Sequence, residues 1–171
     1  MIRRIAVVGG SKNDFYKVPE CFHALHCAVR DGLAEVVEIS ACSTHRNPKR
    51  LRAKALKYAE LRVDAVILMA GKLAAIFGDF DALLRNELFD DHVVVIPVPI
   101  KGDTPEDTEA AKRSADSVPG SQFDYKPEYA DEPLLAFQHA ISGVLRKIEL
   151  KGKAVENFTL DEIMELIGSA K

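Results

Sequence analysis

Four short, predominantly apolar runs alternate with longer segments of helical period, and this alternation restricts the fold more than any other feature of the chain. The runs are Ile5–Val8, Glu35–Ile39, Ala65–Met69 and Val93–Pro99. They are too short for helices and lack the apolar–polar alternation of a half-exposed sheet, so they read as strands buried on both faces. Between them, Pro19–Arg30, Pro48–Arg62 and Leu73–Leu88 read as helices. Pro19 and Pro48 suit a first helical turn, and Asn47 suits the cap before it. Gly78 interrupts the third helix pattern, and Pro97 and Pro99 imply an exposed or ending segment in the fourth run. Strand–helix alternation of this kind implies right-handed crossovers and a parallel sheet. The expected strand order is 2-1-3-4, with helices on both faces.

The second half is less regular. Thr104-Pro105-Glu106-Asp107 opens a helix running to about Ser117. Val118–Tyr129, with Pro119, Gly120 and Pro127, reads as a loop. Glu132–Leu150 reads as helical, Gly152 breaks it, and Thr159 with Glu162 forms a capping-box pattern for a last helix to about Gly168. The expected organisation is one α/β domain over 1–150 and a helical extension over 151–171.

Charge and cysteine content narrow the partners. Lys and Arg total 23 against 26 Asp and Glu, a net charge of −3, which argues against a general nucleic-acid binder. It leaves room for one basic pocket. No run approaches the length of a membrane span, and the first apolar run is too short for a signal peptide. The three cysteines, Cys21, Cys27 and Cys42, are an odd number without a secretory context, so a disulfide framework is not expected. The expected compartment is the cytoplasm.

In parallel α/β sheets, ligands bind at the carboxyl ends of the strands, near the switch in strand order. Four loops lie there. Gly9-Gly10-Ser11-Lys12-Asn13-Asp14 follows the first strand and offers tight backbone approach, a hydroxyl, an amide and a carboxylate; a plain turn and cap would look similar. Ser43-Thr44-His45-Arg46-Asn47-Pro48 follows the second. Arg46 can grip a phosphate with two hydrogen bonds, and His45 can exchange a proton near neutrality; the alternative is a polar loop with an Asn cap. Met69-Ala70-Gly71-Lys72 and Ile100-Lys101-Gly102-Asp103 follow the third and fourth, where Lys72 and Lys101 either hold an anion or are solvated. Cys21, His23, His26 and Cys27 do not converge on one helix face, so no metal site is expected. Cys42 is either a thiol nucleophile or a small buried residue. His92 and His139 are expected to be structural.

The first two loops together resemble the N-carboxyaminoimidazole ribonucleotide mutases and aminoimidazole ribonucleotide carboxylases of purine biosynthesis. That family carries Gly-Ser-x-Ser-Asp, then Ser-Ala-His-Arg-x-Pro, then Ala-Gly-x-Gly-x-Ala-His-Leu-Pro-Gly. The chain matches the first two, and the resemblance extends over about residues 5–100. Val118-Pro119-Gly120 faintly resembles a later turn of the family.

The resemblance implies a three-layer, flavodoxin-like fold, assembly as an octamer, and a ribonucleotide substrate whose phosphate sits between the first and second loops. By matched position, Gly10, Ser11, Asp14, Ser43 and Arg46 would bind substrate, Arg46 at the phosphate, with Gly71 and Lys72 from the third loop. His45 would shuttle the proton as carboxylate moves between exocyclic nitrogen and ring carbon, with no metal or organic cofactor. The third motif departs: Ile76 or Phe77 stands where the family has His-Leu-Pro, and Ser121–Tyr125 replaces a late segment. The alternatives are an enzyme acting on another phosphorylated heterocycle and a non-catalytic nucleotide-binding module.

Overall fold

The computed structural model describes residues 1–72, 74–118, 124–145 and 159–169. Its centre is a sheet of four parallel strands in the order β2-β1-β3-β4, formed by β1 (Arg3–Gly9), β2 (Ala34–Ala41), β3 (Ala65–Ala70) and β4 (Val94–Pro99). Order and direction are those expected from the alternation of runs. β1 and β3 are central, and β3 is buried along its whole length. Alternate side chains feed two cores. Ile5, Val7, Ile67 and Ile96 pack with α2 (Pro19–Arg30) and α7 (Pro133–Ser142). Ala6, Val8, Leu68 and Val95 pack with α3 (Pro48–Glu60) and α4 (Ala75–Ala82). The result is a three-layer, flavodoxin-like α/β fold.

The prolines of β4 fit an edge strand that ends at Pro99, one of the two expected alternatives; the other, exposure, does not hold, since all six of its residues are buried. The even-numbered amides turn inward, as the bonds from Val94 to Asp64 and from Ile100 to Ala70 show. Strand alternation therefore turns Val95, Pro97 and Pro99 outward, where a missing N–H breaks no ladder bond. The Val95 carbonyl on that side accepts the Asp124 amide at 2.9 Å. The edge is further packed by α5 (Pro105–Asp116) and α6 (Glu128–Asp131).

Other differences have local causes. A short helix, α1 (Lys12–Tyr16), precedes α2. The helix expected over Leu73–Leu88 is α4 followed by a π-helical turn at Leu83–Glu87. α6 begins within the last two residues of the expected loop. α7 ends at Gly143, whose φ of 71° stops the helix before the expected end at Leu150. Residues 146–150, the 150/151 boundary, the break at Gly152, the Pro119-Gly120 turn and Ser121–Phe123 lie outside the described residues. α8 (Leu160–Ser169) opens on the expected capping box: Glu162 accepts the Thr159 amide at 2.7 Å, and Thr159 Oγ1 accepts the Glu162 amide at 3.3 Å. No helix among the described residues is long and apolar enough to cross a membrane.

At the other edge, Glu38 of β2 ties the strand to α3 through Lys54 and Lys57. Burial opposes its ionisation, but the two lysine hydrogen bonds outweigh that and draw the carboxyl from 4.5 down to about 2. A depressed acid stabilises the fold above its unfolded pKa and loses that contribution as pH falls through its folded one. Glu38→Gln should therefore be less stable than wild type at pH 7, with a deficit that shrinks towards zero between pH 4.5 and 2. Urea midpoints measured across that range check this; a constant deficit would refute the ion-pair account.

Candidate functional site

A cleft of about 390 Å³ opens at the carboxyl ends of β1, β2 and β3. The loop after β1 supplies Gly10, Ser11, Asn13 and Asp14, and the loop after β2 supplies Ser43, Thr44, His45 and Arg46. Gly71 and Lys72 follow β3, with Ala74–Ile76 at the start of α4. Every residue singled out at the strand ends as catalytic or substrate-binding thus lines one cavity. Lys101 does not; its carbonyl instead accepts Lys17 Nζ at 2.9 Å.

Backbone bonds fix the first two loops. The Gly10 amide is committed to the Met69 carbonyl at 2.9 Å, which pins the β1 loop to β3. The Ser11 amide donates to Asp14 Oδ2 at 2.8 Å. Burial pushes the Asp14 carboxyl up, against the Ser11 hydrogen bond and the charge of Lys17. Both amides are therefore spent, and this loop offers a ligand the side-chain groups of Ser11 and Asn13. In the second loop, the Cys42 amide bonds the Gly9 carbonyl at 2.8 Å, and Asn47 N–H bonds the Ser43 carbonyl at 2.8 Å. His45 and Arg46 are exposed at the tip of the turn so closed. Thr44 Oγ1 is buried and has no hydrogen-bond partner among the described residues.

Glycines at 71 and 102 let the third and fourth loops lie backbone against backbone. A Cβ on Gly71 would meet the Lys101 carbonyl at 3.1 Å; one on Gly102 would collide with the Gly71 carbonyl and with Asp107 Cβ. The Gly102 amide is held by Thr108 Oγ1 at 2.9 Å, inside a first turn capped by Thr104. Gly102→Ala should cost about 1–3 kcal/mol, the usual range for overpacking a rigid contact. Chemical denaturation measures it, and a loss below about 0.5 kcal/mol would mean that the two loops are not in contact.

The sequence reading missed Lys17 and Asp103, which also line the cleft. Lys17 lies between Asp14 and Pro19, where the chain is about three residues longer than the family pattern it resembles, and that added length was the one available signal. Lys17 Nζ donates to Asp103 Oδ1 at 3.1 Å, and Lys72 Nζ lies 3.2 Å from Asp103 Oδ2 and 3.5 Å from Asp107 Oδ2. The hydrogen bonds from Lys17 and Lys72 hold the Asp103 carboxyl low.

The remaining candidates have structural settings. All three cysteines are free. Cys42 is buried, and burial pushes its thiol up, the wrong direction for a nucleophile. His139 Nδ1 lies 2.7 Å from the Tyr129 hydroxyl, and His92 lies beside Arg62 and Asp64. No group of three or more potential metal ligands occurs among the described residues.

No protein-family model matches the sequence, and no curated protein matches it significantly. Solved structures do. The crystal structure of Treponema denticola PurE superposes with a TM-score of 0.55 at 17% identity, over 83% of this chain and 89% of that one. A variant of Treponema denticola PurE2 gives a TM-score of 0.57 at 16% identity, over 84% and 89%. The chain shares the fold of these proteins.

Proposed function

On that fold, we propose that the cleft binds a phosphorylated aminoimidazole nucleotide and that the chain moves a carboxylate on it, as a mutase or carboxylase of purine biosynthesis. One observation carries the reading: Ser43, His45 and Arg46 share a single cleft with Ser11, at the strand ends where this fold class binds ligands. In this reading Arg46, Ser43 and Ser11 hold the phosphate by charge-assisted and hydroxyl hydrogen bonds, with Gly10 and Asp14 shaping the loop around it. His45 is the proton shuttle. The bond from exocyclic nitrogen to carboxylate breaks and a bond from ring carbon to carboxylate forms. His45 takes the proton displaced from the ring carbon and returns it to the nitrogen. This chemistry asks for no metal and no organic cofactor. The same reading places the chain in the cytoplasm, as a homo-oligomer built from an α/β domain over 1–150 with a 151–171 extension.

The third loop favours a second reading. Ile76 lines the cleft, and His45 is the one imidazole among the described lining residues. A site so altered suits a different phosphorylated heterocycle, or binding without turnover. The deciding experiment is interconversion of the two carboxylated aminoimidazole ribonucleotides by the purified chain, run beside thermal-shift binding. Turnover supports the first reading; binding without turnover supports the second; the absence of both refutes the first. Within either, Arg46→Ala should weaken nucleotide binding by about 2 kcal/mol, roughly thirtyfold. Unchanged affinity would remove Arg46 from the site.

A further inference from the structure

Three elements that have no neighbouring positions in sequence bring one carboxylate and two ammonium groups together at the cleft. Lys17 ends α1, Lys72 follows β3 and Asp103 follows β4. Asp103 uses both its oxygens, one for each lysine, at 3.1 and 3.2 Å. That is the bidentate use a ligand carboxylate would make of the same pair. The Asp103 side chain is 65% exposed, so it can turn to water at little cost. The lysines keep other anchors when it leaves: Lys17 the Lys101 carbonyl at 2.9 Å, Lys72 the Asp107 carboxylate at 3.5 Å. Among the cleft-lining side chains, Lys17, Arg46 and Lys72 face only Asp14 and Asp103, and Asp14 is tied to the Ser11 amide.

We infer that Asp103 stands in for a second anionic group of the ligand, a carboxylate, which displaces it from Lys17 and Lys72. The lysine pair then selects phosphate esters that carry a carboxylate over those that do not. The inference rests on the reading of the Arg46 end as the phosphate site, and it names what the far end recognises.

Isothermal titration with two probes tests it: aminoimidazole ribonucleotide and the same nucleotide carboxylated on its ring carbon. Wild type should bind the carboxylated probe more tightly. Asp103→Asn removes the competing charge and should strengthen the carboxylated probe by about fivefold, the scale of an exposed ion pair, while moving the plain nucleotide less than twofold. Lys17→Gln with Lys72→Gln should abolish the preference, the carboxylated probe losing more affinity than the plain nucleotide. All three positions are on loops or a short helix end, and unchanged thermal melting controls for folding. Equal responses of both probes to Asp103→Asn, or a preference that survives loss of both lysines, would overturn the inference while leaving the nucleotide site standing. If neither probe binds wild type, the nucleotide reading fails and this one with it.

Discussion

Replacing His45 with asparagine should leave nucleotide binding within about twofold of wild type and lower turnover by about 100- to 10,000-fold, the usual contribution of a positioned proton shuttle. The side chain is exposed at the tip of the turn between β2 and α3, and it makes no core contact. Asparagine preserves its polarity and approximate reach while removing the titrating ring. Binding and turnover should therefore separate, as they would not if His45 merely shaped the loop. The measurement is steady-state interconversion of the two carboxylated nucleotides beside titration of either one. An equally active variant would strip His45 of the role.

The largest stability effect is expected far from the cleft. Arg85, in the π-helical turn, is 2% exposed, and Asp81 one turn earlier is 1% exposed. Arg85 Nε lies 3.3 Å from Asp81 Oδ1. The same guanidinium donates to the Asp90 carbonyl at 2.6 Å and the Val93 carbonyl at 2.5 Å, which shapes the turn into β4. Arg85→Ala leaves a buried carboxylate without its counter-charge and two carbonyls without their donor, and should cost about 3–5 kcal/mol. Burial pushes the Asp81 carboxyl up to about 6, with Arg85 pulling the other way. A raised acid binds protons in the folded state that the unfolded state has released, so its contribution to stability is lost as pH rises through the folded value. Without Arg85 the pull downward is gone, and the deficit should be larger at pH 8 than at pH 5. Asp81→Leu added to Arg85→Met should recover most of the loss. A deficit under 1 kcal/mol, or one flat with pH, would show that the pair is not the anchor of this turn.

The sheet was legible because β1, β3 and β4 are short and apolar almost throughout, while β2, with Glu35 and Glu38, is only half-buried and reads less clearly. Residues such as Val66–Leu68 admit no amphipathic alternative, and the crossover rule then leaves few orders. The first two loops were legible because Ser11, Ser43, His45 and Arg46 sit immediately after strands, where polar groups have little packing reason to cluster. The π-helical turn was not legible: nothing in the residue pattern marks it, although Arg85 within it reaches the Asp90 and Val93 carbonyls. α6 was hidden by Pro127, a loop signal that also suits a helix start. Lys17 and Asp103 were hidden because each is an ordinary surface charge in its own segment. Their meaning lies in a meeting across 86 positions of chain.

The outward-facing prolines of β4 restrict how this molecule can associate with others. A partner strand laid along that side would find no N–H at Pro97 or Pro99, and the Val95 carbonyl already engaged by Asp124. Growth of the sheet by strand addition is blocked there by the two prolines and by Asp124. The opposite margin, β2, carries no proline. Any assembly that spares β2 must then be cemented through helices and loops, so its subunits would be joined by side chains and not by a shared backbone ladder.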